Sequence, residues 1–240
     1  MHRSIWFATV LSIGLYTPSL AQITGKVTLD GTPPEMKEIK AIAAIPQCAQ
    51  LHKDPVYEDT VIVGDKGELA NVIVFIKETK PGDLKGPQKK TPARLDQKKC
   101  TFVPHVLAAE IGQPLLLLSS DPFLHNVRAE TVANRPFNIP LFTLAQTELD
   151  PFIAQETFHI KCDVHPWMRA VVRVFDHPYF ATTDEDGQFT IDTKGLKDGA
   201  YVVQGWHEVY GDSEPLTVDV KGGKAARELN FTYKAAGKSR

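Results

Sequence analysis

The feature that most constrains the fold is the alternation of short β-prone runs with turn residues along the chain. Runs rich in Val, Ile, Phe and Thr recur from residue 22 onward, and Gly, Pro and Asp separate them. Many short strands of this kind favour sandwiches or barrels over alternating strands and helices. The predicted strands are 23–29, 61–63, 70–77, 106–111, 115–119, 156–162, 170–176, 188–192, 200–207, 216–220 and 228–233. The sequence therefore predicts an all-β chain.

Two segments depart from the strand pattern. Residues 34–51 contain enough Ala, Lys, Glu and Met for a short helix, which Pro46 limits. Residues 80–99 combine Pro and Gly with many Lys residues and predict an exposed linker or long loop. A solvated loop is favoured there over a docking patch for an acidic partner, because runs of charge usually do no more than face water.

The first residues have the layout of a cleavable secretory signal. Arg3 supplies the positive start, residues 5–16 are mostly apolar, and small residues precede Ala21. The apolar run is shorter than the roughly 20 residues that a membrane-spanning helix needs. We expect a signal peptide at 1–21, no membrane span, and a mature protein that is secreted or periplasmic.

Charge and cysteine content narrow the function. The formal net charge is -2 at pH 7, which does not suggest nucleic acid as a partner. The three cysteines are Cys48, Cys100 and Cys162. An exported protein is expected to pair two thiols, and Cys162 lies in a motif with a use for a lone thiolate, so Cys48 and Cys100 are the candidate disulfide.

The motif is C-x-x-H-x-x-M, formed by Cys162, His165 and Met168 at the end of a predicted strand. A thiolate, a thioether and two imidazoles are the ligands of a blue-copper site, with His, His and Cys in a plane and Met as a weak axial ligand. His125, which follows the predicted strand 115–119, is the candidate for the second imidazole. Zinc is the chemical alternative, since Cys and two His also suit it, although a thioether ligand argues against zinc.

Strand periodicity independently favours Cys162 as a ligand. Side chains alternate between the two faces of a strand, so Phe158, Ile160 and Cys162 share an apolar face. His159 points to the other face, and we exclude it as a ligand.

Residues 100–176 resemble the cupredoxins, and among them the amicyanin and plastocyanin type. The motifs that carry the resemblance are F-x-P at 102–104, G-x-x-L at 112–115, H-N-V at 125–127 and C-x-x-H-P-aromatic-M-R at 162–169. The resemblance implies one type 1 copper ion with His125, Cys162 and His165 as strong ligands and Met168 as the weak one. It also implies that Asn126 ties the two ligand loops together by hydrogen bonds.

The function implied by this resemblance is one-electron transfer. The partner would be a redox protein, for example a periplasmic dehydrogenase of methylamine utilisation. Four protein ligands leave no open position for a substrate, so we expect no enzymatic activity at the metal.

A second resemblance covers the ends of the chain. Residues 181–208, with the segments DEDGQFTI, LKDGAY and GWHE, resemble the latter half of a carboxypeptidase regulatory-like, prealbumin-type β-sandwich, and 23–29 with 67–77 resemble its opening strands. The implied fold is a cupredoxin-like Greek-key β-sandwich inserted in, or flanked by, a prealbumin-like β-sandwich; three modules in a row is the alternative. The predicted units are a signal peptide at 1–21, a first sandwich part at 22–92, a cupredoxin-like domain at 93–176 and a second sandwich part at 177–234.

The flanking sandwich supports an alternative function. In this interpretation the chain is a cell-surface or periplasmic β-sandwich module that binds carbohydrate, and the cupredoxin fold is only a scaffold.

Overall fold

The computed structural model describes residues 21–77, 84–89 and 91–235, so the predicted signal peptide lies outside the described residues except for Ala21. The described chain is all-β apart from two short helices, α1 (Lys40–Ala44) and α2 (Pro46–Ala49). Pro46 is the first residue of α2, where its missing N–H costs no helical hydrogen bond. Within the described residues, neither helix has the length and apolar character needed to cross a membrane.

The described residues also form eighteen strands. In chain order they are β1 (Gln22–Asp30), β2 (Ile73–Ile76), β3 (Ala93–Lys98), β4 (Thr101–Val103), β5 (Val106–Glu110), β6 (Leu115–Ser119), β7 (His125–Ala129), β8 (Phe137–Leu141), β9 (Gln146–Leu149), β10 (Glu156–Lys161), β11 (Arg169–Phe175), β12 (Phe180–Thr182), β13 (Gln188–Asp192), β14 (Gly199–His207), β15 (Gly211–Asp212), β16 (Leu216–Lys221), β17 (Lys224–Ala225) and β18 (Leu229–Lys234).

Strands β3 to β11 form two facing sheets, which we call the small sandwich. One sheet has five strands in the order β5-β11-β10-β7-β8, and the other has four in the order β4-β3-β6-β9. Leu95 and Leu117 from the four-stranded sheet pack in one buried cluster with Val127 and Ile160 from the five-stranded sheet. Alternate residues of β3 and β10 are buried, as expected where one face of a strand meets a core.

The remaining strands form a single nine-stranded sheet, which we call the large sheet. Its main path is β12-β2-β14-β16-β17-β1-β13, with β15 beside β14 and β18 beside β1. Strands β12 and β13 lie at opposite ends of this path, yet the short turn Asp184–Gly187 connects them. The sheet therefore curls back on itself and encloses its own core, which includes Val27, Val203 and Phe231.

Strands β2 and β11 join the large sheet to the small sandwich because both of their faces are buried. Val74 and Ile76 of β2 point into the core of the large sheet, while Ile73 and Phe75 point the other way. There they meet Val171 and Phe175 of β11 in a third apolar cluster. A strand that is buried on both faces exposes neither face to water. This explains why β2 is the continuous apolar run Ile-Val-Phe-Ile.

Three expectations about local structure differ from the observed fold. Residues 80–83 and 90 of the predicted loop 80–99 lie outside the described residues. The last part of that segment is strand β3, because Ala93, Leu95 and Gln97 alternate with more exposed charged residues and point inward. The predicted strand 61–63 forms only an isolated bridge from Val63 to Leu69. Strands β7, β8 and β9 lie within residues 125–149, for which the sequence predicts no strand.

The helical segment packs against a different part of the molecule from the one that the predicted domain boundaries assign to it. The prediction placed the whole of 22–92 with the first sandwich part, but Ile42 and Cys48 are buried in the core of the small sandwich, with Ile39, Ile45 and Val56 packed against it. The disulfide between Cys48 and Cys100 joins this segment covalently to the turn between β3 and β4. The strands of the large sheet nevertheless come from both ends of the chain, and those of the small sandwich from between them.

A buried histidine forms a polar contact between the small sandwich and the large sheet. His105 has a side chain that is 4% exposed, and its Nε2 lies 2.6 Å from Oε2 of Glu208, just after β14. Its Nδ1 lies 3.1 Å from Oδ1 of Asp59. Burial by itself would lower the pKa of His105, but the two carboxylates outweigh it and raise the pKa to about 9.

This contact predicts a loss of stability at alkaline pH. A histidine whose pKa is raised by folding stabilises the folded state fully below its unfolded pKa, and the contribution disappears as pH rises through the folded value of about 9. We therefore expect metal-free wild type to have a larger free energy of unfolding than His105→Gln at about pH 6. At about pH 10 this difference between wild type and variant should be smaller by on the order of 3 kcal/mol. Urea unfolding across this range measures the difference. His159→Gln is the control, since that ring is 70% exposed, and a pH-independent difference for His105→Gln would contradict the prediction.

Candidate metal centre

The pairing of β10 with β7 brings two distant parts of the chain together. The strands are antiparallel, with Ile160 opposite Ala129 and Lys161 opposite Arg128. The chain that follows Lys161 therefore runs past Arg128 toward the start of β7. Cys162 directly follows β10, and His125 is the first residue of β7.

The loop from Cys162 to Met168 brings a third side chain to the same place. Lys161 and Arg169 pair across β10 and β11, so the loop is the connection of a hairpin. The backbone N–H of Cys162 donates to the carbonyl of Met168 at 3.3 Å, and the N–H of Met168 donates to the carbonyl of His165 at 2.9 Å. These bonds fold the loop tightly, with Pro166 restricting the backbone next to His165.

His125, Cys162 and His165 converge at this end of the small sandwich. Each offers a ligand atom, and the three atoms lie within 4.8 Å of one another. The residues are 0%, 2% and 5% exposed, respectively. The two Nδ1 atoms of His125 and His165 face each other at 2.9 Å. Met168 is 1% exposed and belongs to the same buried cluster as Cys162.

Asn126 links the two segments that carry these side chains. Its Oδ1 accepts hydrogen bonds from Sγ of Cys162 at 3.4 Å and from the backbone N–H of Asp163 at 2.7 Å. Its Nδ2 donates to Oδ1 of Asn138 and to Oδ2 of Asp163. The amide thus fixes the position of the Cys162 sulfur relative to β7.

Sequence reasoning missed a fourth polar group at the site, the carboxylate of Asp121. It is 2% exposed, and its Oδ2 lies 2.9 Å from Nε2 of His125. In the sequence Asp121 precedes Pro122, a combination that indicates only a turn. The sequence shows only that Asp121 lies four residues before His125. That spacing indicates a contact between the two side chains only when the geometry of the turn between them is known.

The disulfide lies close to the site as well. A sulfur of the Cys48–Cys100 pair and a ring nitrogen of His165 lie within 4.8 Å. The carbonyl of Cys100 accepts a hydrogen bond from Nε1 of Trp167 at 3.0 Å, and the Trp167 and His165 ring centroids are 5.0 Å apart. Trp167 is therefore held against His165 by the disulfide-bonded turn.

In the metal-free protein, the electrostatics of the cluster favour the ligand forms of Cys162 and His165 but the protonated ring of His125. Burial would raise the pKa of the Cys162 thiol, but hydrogen bonds from His125 and from backbone N–H groups outweigh it and lower the pKa. Burial and the charge of His125 lower the pKa of His165, which favours its neutral form. Burial would also lower the pKa of His125, but Asp121 and Cys162 raise it to about 8.

The donor set fits a soft or borderline transition metal. Two imidazole nitrogens and a thiolate sulfur converge in a buried pocket of the fold, and a thioether side chain is buried with them. Two imidazole nitrogens that face each other at 2.9 Å need a proton or a cation between their lone pairs. His159, which periodicity excluded, is 70% exposed and lies near Glu208 instead.

Comparison with known proteins gives only partial likenesses. No protein-family model matches the chain, and no curated protein does. Similar solved structures include the Cu-containing nitrite reductase of Thermus scotoductus SA-01, which is 19% identical, with 41% of this chain and 25% of that chain covered and a TM-score of 0.34. A purple cupredoxin from Nitrosopumilus maritimus is 22% identical, with 35% and 99% covered and a TM-score of 0.30. An amicyanin in its Cu(I) form is 18% identical, with 42% and 98% covered and a TM-score of 0.33.

The strand arrangement itself defines the class of fold. This chain covers 25% of the length of the nitrite reductase chain. Each of the three similar structures matches less than half of this chain. Two facing sheets of five and four strands form a cupredoxin-like β-sandwich in an all-β chain. None of these comparisons assigns a fold to the large sheet.

The hydrogen bonds of Asn126 predict a measurable contribution to stability and metal binding. Asn126→Ala leaves the Cys162 sulfur and the Asp163 N–H without their acceptor, and an unpaired buried polar group costs about 1–3 kcal/mol. We expect that loss in urea unfolding of the metal-free protein, and a 10–100-fold loss of metal affinity, the usual effect of removing a partner of a metal ligand. Asn138→Ala removes an exposed side chain that accepts a hydrogen bond from Asn126 and donates one to Asp163, but it leaves the acceptor of the Cys162 sulfur in place. It should change stability by less than about 0.5 kcal/mol. Equal effects of the two substitutions would contradict the assignment.

Proposed function

We propose that this protein is an exported mononuclear type 1 copper protein that transfers single electrons. The observation that carries the proposal is the convergence of ligand atoms from His125, Cys162 and His165 at the buried end of the small sandwich. His125, Cys162 and His165 would hold the ion strongly, and Met168 would be the weak fourth ligand. A copper ion in such a set supplies a one-electron Cu(II)/Cu(I) couple.

The residues around the site restrict how far its geometry can change between the two oxidation states of copper. The hydrogen bonds within 162–168 and the Pro166 ring restrict the ligand loop, and Asn126 fixes the sulfur. The low exposure of all three residues excludes water from the ligand atoms. A rigid and dry set of ligands keeps the geometry similar in two oxidation states, which favours fast electron transfer.

We propose that the partner is a redox protein that docks over the ligand loops. Leu124 and Val164, which immediately precede His125 and His165, are 42% and 47% exposed. They place apolar surface next to both imidazoles, where a partner would come closest to the site. A periplasmic dehydrogenase, as in methylamine utilisation, is the partner class we propose.

Four protein ligands leave no position for a substrate, so we propose a carrier and not an enzyme. A disulfide and a separate buried thiol suit an oxidising compartment, which supports export to the periplasm or beyond. We also propose that the large sheet is the prealbumin-type sandwich into which the cupredoxin-like unit is inserted. The supporting observation is that its strands come from both ends of the chain.

Spectroscopy of the copper-loaded protein tests the proposal. We expect an intense visible absorption band and a narrow hyperfine splitting in electron paramagnetic resonance, because the Cys162 thiolate binds Cu(II) directly. Cys162→Ser should abolish both signals, and His125→Ala should change both. Absence of the band in wild type, or its persistence in Cys162→Ser, would overturn the proposal.

Two controls separate ligand loss from misfolding. His159→Ala, on the opposite face of the strand that leads to Cys162, should leave both signals unchanged because His159 is 70% exposed. Circular dichroism and thermal melting of each variant report its fold. Tight binding of zinc, with copper bound weakly and without colour, would identify a structural zinc site instead.

A further inference from the structure

Asp121 is a buried carboxylate in the turn between β6 and β7. Its side chain is 3% exposed. Removing a charged carboxylate from water is costly unless hydrogen bonds or an opposite charge compensate it. Such a group within a metal-ligand cluster therefore needs a structural explanation, and the hydrogen bonds around Asp121 provide one.

Three N–H groups surround this carboxylate. Oδ1 accepts a hydrogen bond from the backbone N–H of Lys99 at 2.6 Å, and Oδ2 accepts one from the backbone N–H of Cys100 at 2.8 Å. The third is Nε2 of His125, 2.9 Å from Oδ2. Together they give Oδ1 one hydrogen bond and Oδ2 two.

The turn that presents the two backbone groups is unusual. Lys99 and Cys100 have φ angles of 54° and 57°, in the left-handed region that favours glycine. A non-glycine residue there costs on the order of 1–3 kcal/mol. The conformation points two consecutive N–H groups at one carboxylate, and the disulfide to Cys48 fixes the same turn covalently. The turn between β3 and β4 is thus built as a socket for Asp121.

This socket determines which nitrogen of His125 is available as a ligand. A carboxylate accepts a hydrogen bond, so the ring must donate from Nε2. Nδ1 is then the nitrogen with the free lone pair, and it is the atom that faces Nδ1 of His165 at 2.9 Å. A carboxylate hydrogen-bonded to the far side of a ligand imidazole also fixes the ring orientation and makes the ring a stronger donor.

We propose that Asp121 is a positioning residue that orients His125 and strengthens it as a copper ligand. This inference rests on the proposed function, because it assumes that His125 binds copper. Its second consequence is electrostatic: a buried negative charge one imidazole away from the ion stabilises Cu(II) more than Cu(I). Asp121 therefore lowers the reduction potential of the site.

The experiment compares Asp121→Asn with Asp96→Asn. Asp96 is the matched control because its carboxylate also binds the same loop, accepting hydrogen bonds from the backbone N–H and Oγ of Ser120, but it contacts no ligand. We expect Asp121→Asn to lose 10–100-fold in Cu(II) affinity, to shift the reduction potential upward and to alter the hyperfine splitting. Asp96→Asn should match wild type in all three. Equal affinity and potential for the two variants would overturn the proposal.

A second measurement uses the unaltered protein, so the test does not depend on the folding of Asp121→Asn. Cu(I)-loaded wild type is diamagnetic, and nuclear magnetic resonance of labelled histidine should show a proton on Nε2 of His125 that exchanges slowly with water. Rapid exchange, or a proton on Nδ1, would overturn the inference. If wild type binds no copper or gives no blue-copper spectrum, the proposed function fails instead, so the two failures are distinguishable.

Discussion

The antiparallel pairing of β10 with β7 is the constraint on which the candidate site depends. It directs the chain that follows β10 toward the start of β7, and so brings Cys162 to His125 across a long separation in sequence. The hairpin from β10 to β11 then returns His165 to the same point. Because β11 is also buried against the large sheet, the strand that follows the ligand loop is fixed on both faces by apolar packing. The geometry of the candidate site is in this sense a consequence of sheet register.

The sequence contained most of what is needed to predict the strands and the ligand loop. Alternation along β10 placed Cys162 on the apolar face, and the C-x-x-H-x-x-M spacing identified the loop. Strand β3 escaped prediction because its lysine and arginine residues resemble a solvated loop, although its alternate residues face a core. Strands β7 to β9 are short, and β8 contains Pro140, which weakens any local strand signal.

Other features depend on tertiary contacts that no local pattern encodes. The attachment of the helical segment to the small sandwich follows from burial of Ile42 and from the link between Cys48 and Cys100. The role of Asp121 follows from a turn whose left-handed residues, Lys99 and Cys100, are neither Gly nor Asn. Cysteine counting could name the candidate disulfide, but it could not reveal that the bonded turn also presents N–H groups to a carboxylate beside the ligands.

The position of β1 in the large sheet has a consequence for the order in which the protein can be completed. Its neighbours in that sheet are β13, β17 and β18, all of which come from residue 188 onward. Every strand of the small sandwich is therefore synthesised while β1 still lacks these neighbours, and a strand without neighbours is an open edge that invites aggregation. A chain that ends before β13 would keep all the strands around the metal ligands and still carry that open edge.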